Sequence, residues 1–158
     1  MKKEKMNDKG FSLVELIIVI AIMAVLVVVL APQYLKYVEK SRNSTDLSNA
    51  TAIATALQVW AADPEAGDNG THAFKGGDEF TIKVTDASGG FDGAGVGTGN
   101  AAATDGLTQA AITLSETKCK SKSTWTYYTI KGVVATNGSI TFTYGSDNSD
   151  AFKTAMTK

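Results

Sequence analysis

Few side chains in this 158-residue chain could make or break bonds, and they are scattered. The one histidine, His72, and the one cysteine, Cys119, stand in unlike segments, which gives no basis for a Ser–His–Asp or Cys–His arrangement. His72 follows Asn69, Gly70 and Thr71 and reads as a solvated loop residue. Cys119 lies between Lys118 and Lys120; exposed there it would be acidified, but it reads as a surface or half-buried thiol. Asp147, Asn148 and Asp150 are oxygen ligands at close spacing. They lack the order and distal Glu of a calcium loop, so a turn and a helix cap are expected. Gly93, Gly95, Gly97 and Gly99 do not meet G-x-G-x-x-G, and no GK[ST] follows. Asn-x-Ser/Thr triplets at Asn43, Asn49, Asn69 and Asn137 follow from abundant Asn and Thr. No catalytic residue, cofactor or metal is expected, and the chain does not read as an enzyme. One ionisable group stands out: Glu15, inside an apolar run. A carboxylate at membrane depth costs roughly 2.5–3.5 kcal/mol and asks for a partner.

The element that must position Glu15 is a long helix. From Leu16 to Ala31 every residue is Leu, Ile, Val, Ala or Met, and extension back to Phe11 admits only Ser12 and Glu15. That run of about 21 residues would be roughly 30 Å long as a helix, enough to cross a bilayer. Lys2, Lys3, Lys5 and Lys9 precede it against Glu4 and Asp8, an excess that keeps the N-terminus cytoplasmic. A secretory signal would be shorter and would end in a small-residue cleavage site, whereas Pro32 follows Ala31. A lipoprotein signal would need a cysteine just past the run. Beyond Pro32, which kinks or loosens a helix, Tyr34, Val38, Leu47, Ala50, Ala54, Leu57 and Ala61 recur at helical spacing, with Ile53 and Trp60 beside them. Lys36, Glu39, Lys40, Arg42 and Asp46 fall mostly elsewhere around the helix. It should end near Ala62, because Asp63 precedes Pro64.

A Lys-rich leader, then Lys9-Gly10-Phe11-Ser12-Leu13-Val14-Glu15, then an apolar helix together resemble the processing site of type IV prepilins. The resemblance covers Lys9 to about Ala62, with its sharp motif confined to Gly10–Glu15. It implies that a prepilin peptidase, also an N-methyltransferase, cuts between Gly10 and Phe11 and methylates the new amine of Phe11. It also implies that Glu15 pairs with that amine on an adjacent subunit, and that Pro32 marks where the helix bends in the filament. One departure is plain: many pilins of diderm bacteria close a C-terminal loop with two cysteines, and a single Cys119 cannot, which favours a monoderm source.

After Pro64 the composition turns to Gly, Thr, Asp and Ser. Phe80, Ile82 and Val84 alternate with threonine and lysine as a half-buried strand does, and so do Ile140, Phe142 and Tyr144. Trp125 to Ile130 make a third strand, with Tyr127-Tyr128 breaking the alternation as a bulge would. Val133 to Thr136 run into Asn137-Gly138, a hairpin turn. Seven glycines between Gly89 and Gly106 read as a flexible surface loop. Leu107 to Glu116 suit either a short helix or a strand, and Asp150 would cap a terminal turn of helix. The fold expected is α+β: a long N-terminal helix against a three- or four-stranded antiparallel sheet. Residues 1–10 would be a cleaved leader, 11–32 a transmembrane and filament-core half-helix, and 33–158 a soluble head (helix 33–62, loop 63–79, sheet and loops 80–158).

The function so implied is that of a structural pilus subunit. It would be held in the cytoplasmic membrane with its N-terminus inward, then drawn by the assembly platform into a homopolymeric surface filament. Fifteen basic against sixteen acidic residues argue against nucleic acid as a partner of the isolated subunit. The alternatives are a pseudopilin of a type II secretion or DNA-uptake system, and a single-pass membrane-anchored binding protein.

Overall fold

The computed structural model describes residues 11–68, 71–92, 97–148 and 150–157. Gly10 and the lysine-rich leader, Asn69, Gly93 and Gly95 lie outside them. The chain divides after Val38 into two units. A single helix, α1 (Leu13–Ala62), supplies the first unit and opens the second. In the first unit, residues 11–37 are all exposed. Phe11 and Ser12 precede the helix, and Pro32 sits inside it without ending it.

The second unit folds around the other part of α1. Its buried residues are Asp46, Ala50, Ile53, Ala54, Leu57 and Trp60, one stripe at helical spacing. Asp46 therefore lies on the buried face and not among the solvated charges, as the sequence had suggested. Against the stripe lies a four-stranded antiparallel sheet in the order β2-β1-β3-β4, made of β1 (Glu79–Thr85), β2 (Gly89–Phe91), β3 (Tyr127–Val134) and β4 (Ile140–Ser146). Phe80, Ile82 and Val84 on β1 and Tyr128, Ile130 and Val134 on β3 are buried. Ile82 stands opposite Ile130, which stands opposite Tyr144. Alternation in both strands puts one apolar face on the helix, as a half-buried sheet requires. Gly132 stands between Phe80 and Phe142 in the pairing. A Cβ there would collide with the Phe80 ring, which reaches across the vacant position to meet Phe142 edge-on at 6.2 Å.

Three expectations need correction. The stretches around Trp125–Ile130 and Val133–Thr136 form one strand, β3, whose register against β1 is continuous from Tyr127 to Val133. There is no bulge at Tyr127-Tyr128: Tyr128 faces inward in step with Ile130, and Trp125 lies ahead of the strand. The glycine-rich stretch is not a plain surface loop, because it contains β2 and most of α2 (Asn100–Gln109). Helix α2 buries Ala102, Ala103, Gly106 and Leu107. Gly106 is needed for that close approach, since a Cβ on it would lie 2.6 Å from Trp60 Cγ. Leu107 to Glu116, open between helix and strand, are the end of α2, a turn, and a 3-10 turn at Leu114–Glu116.

The hairpin at Asn137-Gly138 forms as expected. Gly138 takes φ +83, and the Ala135 N–H donates to the Ser139 carbonyl. The last helix, α3 (Ala151–Met156), packs on β4 and brings Phe152 into the core. That ring stacks on Tyr128 at 4.6 Å and meets Trp125 edge-on at 5.0 Å. Asp150 holds the N-cap position of α3, but its side chain makes no capping bond.

Candidate functional site

Of the residues singled out at the N-terminus, Phe11, Glu15 and Pro32 are described. Phe11 is 95% exposed. Glu15 accepts a hydrogen bond from the Ser12 N–H at 2.9 Å, and Ser12 Oγ accepts one from Val14 N–H at 3.3 Å. The Leu16 N–H returns to the Ser12 carbonyl. Ser12-Leu13-Val14-Glu15 is thus a capping box, S-x-x-E, that satisfies donors at the start of α1 and sets a negative charge at the positive end of its dipole. The spacing was legible in the sequence, where Glu15 read only as a residue in need of a partner. Within the single chain that partner is the Ser12 amide. Past it the helix exposes an unbroken apolar surface, including Leu16, Ile20, Met23, Val27 and Leu30. Among the described residues this is the one helix long and apolar enough to cross a membrane.

The second unit holds a polar cluster that sequence reasoning missed. The Asp46 carboxylate is completely buried, and among the described residues no cation forms an ion pair with it. Its Oδ1 accepts from the Lys120 N–H at 2.7 Å. Its Oδ2 accepts from the Ser121 N–H at 2.9 Å, from Trp125 Nε1 at 3.0 Å and from Cys119 Sγ at 3.3 Å. Two turns earlier on α1, Glu39 Oε1 takes the Ser121 hydroxyl at 2.7 Å and the N–H groups of Lys122, Ser123 and Thr124 at 2.8, 2.8 and 3.1 Å. Burial raises the Glu39 pKa, but these donors outweigh it and hold the carboxyl well below its ordinary 4.5. Asn43 Nδ2, between the two acids on the helix, donates to Thr124 Oγ1. From the far side, Asp147 accepts from both the N–H and the hydroxyl of Thr126, and Asn148 Nδ2 donates to the Thr124 carbonyl.

Segment 119–126 is therefore clamped to α1 and to the end of β4 by carboxylates and amides. A detectable signal existed: Asp46 falls four and seven residues before Ala50 and Ile53, in register with the apolar stripe. An acid on a buried stripe requires several donors.

The remaining candidates take structural places. Cys119 is buried. Burial first, and then the charge and hydrogen bond of Asp46, push its thiol up to about 12, so it is neither acidified nor the surface or half-buried thiol that the sequence suggested. The His72 side chain is exposed but not free: its ring Nδ1 and its backbone N–H both meet Asp105 Oδ2, at 2.8 and 2.7 Å. Its carbonyl accepts from Trp60 Nε1, so the loop after α1 is tied to both helices. Asp147 and Asn148 are used in the clamp, and no acidic or histidine cluster able to hold a metal occurs among the described residues.

A family model described as the prokaryotic N-terminal methylation motif matches residues 5–31. The chain is 33% identical to the type IV major fimbrial protein FimA of Dichelobacter nodosus over 138 residues, covering 77% of this chain and 88% of that protein. It is 30% identical to prepilin peptidase-dependent protein A of Clostridium perfringens over 86 residues, 54% of this chain and 55% of that one. It is also 37% identical to a fimbrial protein of Pseudomonas aeruginosa over 51 residues, about a third of each. No solved structure matches.

Proposed function

The chain belongs to the type IV pilin family, and from that premise we propose that it is the structural subunit of a type IV pilus, cleaved after Gly10 and methylated on the new amine of Phe11. The observation that carries this reading is the first half of α1. Its side chains are apolar from Leu16 to Ala31 and exposed throughout residues 11–37. An apolar surface of that length needs lipid before assembly and neighbouring copies of itself afterwards. The rods then bundle through residues 11–37 and the sheet-bearing heads cover them.

Glu15 has two successive partners in this scheme. In the single chain it closes the capping box with Ser12. In the filament it faces the Phe11 amine of the next subunit, where opposite charges in a low dielectric attract strongly. The capping box keeps the carboxylate satisfied while the subunit waits in the membrane, so burial of Glu15 does not depend on assembly having begun.

The test is the intact mass and N-terminal residue of the protein recovered from cells. A chain beginning at Phe11 and carrying one added methyl group is the expected result. A chain retaining Met1 to Gly10 in cells with active prepilin peptidase would refute the processing step and the filament reading with it.

A further inference from the structure

The clamp leaves its cations outside. Asp46 and Glu39 hold the curled segment after Cys119 by successive backbone N–H groups. The side chains of Lys118, Lys120 and Lys122 take no part in it and are exposed. With Arg42 of α1 they line one groove of about 450 Å³, in which Asp86 is the one acidic residue. Its contact with Lys122, at 3.6 Å, is exposed on both sides and of small worth. Glu39 approaches Arg42 at 3.6 Å. Four cations thus face two carboxylates, and the groove keeps a surplus of positive charge.

The same folded unit is acidic at its other end. From Arg42, α1 runs on to Ala62, roughly 30 Å, and passes straight into Asp63, Glu65 and Asp68, with no lysine or arginine before Lys75. These acids stand on consecutive turns: the Ala66 N–H donates to the Asp63 carbonyl and the Asp68 N–H to the Glu65 carbonyl. The side chains of Glu65 and Asp68 are exposed. His72, close by in sequence, is already engaged by Asp105, a further carboxylate at this end. Both charged surfaces therefore sit on ordered backbone, so little entropy remains to be lost when either is covered.

We propose that the groove of Arg42, Lys118, Lys120 and Lys122 docks the acidic turn Asp63–Asp68 of a second copy of this chain. The two surfaces complement each other in charge, yet a helix length of roughly 30 Å keeps them apart within one chain. Groove on groove, or turn on turn, would set like charges together. Groove on turn is a heterologous contact, which builds an open chain of copies wherever its rotation does not close a ring. The inference deepens the filament reading and rests on it for what the contact does. Apolar helices supply the cohesion there, and the charges select which head sits on which.

The test uses the full-length chain in nonionic detergent, half of it labelled with nitrogen-15, treated with a water-soluble carbodiimide. That reagent joins a lysine amine to a carboxylate in direct contact and leaves as its urea. Peptides linking a labelled to an unlabelled chain report contacts between copies. They should join Lys118, Lys120 or Lys122 to Glu65 or Asp68. Raising NaCl to ~1 M, where screening acts over ~3 Å, should cut their yield several-fold. Lys120→Glu and Glu65→Lys should each lower the yield several-fold alone. An equal mixture of the two variants should restore it, with links between positions 120 and 65. The clamp uses only the Lys120 N–H, and Glu65 is bonded through its backbone; circular dichroism checks that both variants keep the fold. Four results would each overturn the assignment: no mixed-label links between groove and turn, links indifferent to salt, no rescue in the mixture, or links abolished by equimolar phosphatidylglycerol, which would give the groove to a lipid headgroup. Cleavage after Gly10 is read separately by intact mass, so failure of the processing step and failure of this contact are told apart.

Discussion

Two carboxylates fasten the same loop to α1, yet replacing each by its amide should have very different consequences. Glu39 takes all its loop donors on Oε1. A Gln can keep an oxygen in that place and turn its NH2 toward the side where Arg42 stood. Glu39→Gln then loses only the charge assistance of those bonds, offset in part by relief from burying a charge, a net of about 1 kcal/mol. Asp46 uses both oxygens. An Asn must set its NH2 either against the Lys120 N–H or against the donors of Ser121, Trp125 and Cys119, and a donor facing a donor leaves a buried group unpaired. A hydrogen bond to a charged group is worth about 1.5–3 kcal/mol, and the surviving bonds weaken as the acceptor becomes neutral. Relief from burying a charge offsets part of this. The net expected for Asp46→Asn is about 2–4 kcal/mol, or roughly 6–20 °C in the melting temperature of a head this size. Thermal unfolding of the full chain in detergent, followed by tryptophan fluorescence, reports the loop directly because Trp125 Nε1 bonds to Asp46. If Asp46→Asn melts within a degree or two of Glu39→Gln, the two-oxygen argument is wrong.

Other outcomes follow from the same structure. The carboxyls of Glu39 and Asp147 are held below their ordinary values, 4.5 and 3.8, so the stability they contribute is complete above about pH 5 and is lost as pH falls below the unfolded values. Melting temperature should hold from pH 7 to 5 and then drop, less steeply in Glu39→Gln. The Cys119 thiol, buried and raised to about 12, should resist alkylation at pH 8 until the head unfolds, and rapid labelling of the folded protein would contradict its placement. Gly106→Ala would push a methyl into the Trp60 ring and should cost about 1–3 kcal/mol, read as a lowered melting temperature. Glu15→Gln keeps the S-x-x-Q form of the capping box but removes the charge. It should insert in the membrane and fail to assemble normally, as Glu15→Ala should, and normal filaments from Glu15→Gln would show that the box alone is what Glu15 supplies.

The reach of sequence reasoning tracked the range of the interactions involved. Composition and period are local properties, so the apolar run to Ala31, the end of α1 near Ala62, the alternating strands and the Asn137-Gly138 turn could all be read residue by residue. The processing motif is local too, since Gly10 through Glu15 occupy consecutive positions, and it identifies the family before any contact is known. The partnerships of those residues belonged to the fold. Asp46 looked like one more charge on a solvated helix until donors from positions 119–125, more than seventy residues away, closed around it. Trp125 read as the start of a strand because its hydrophobicity fits one, whereas its indole N–H is committed to Asp46 and its ring to Phe152. The stretch from Gly89 to Gly106 read as a loop because glycine carries no hydrophobic signal. Gly106 is nonetheless buried, since Trp60 requires the space a side chain would fill. Sequence alone determined which segments are apolar, how they repeat and which family the N-terminal motif belongs to. Only the tertiary structure decided which polar groups meet, because a buried carboxylate is stable where distant backbone donors converge on it, and that convergence is set by packing rather than by spacing.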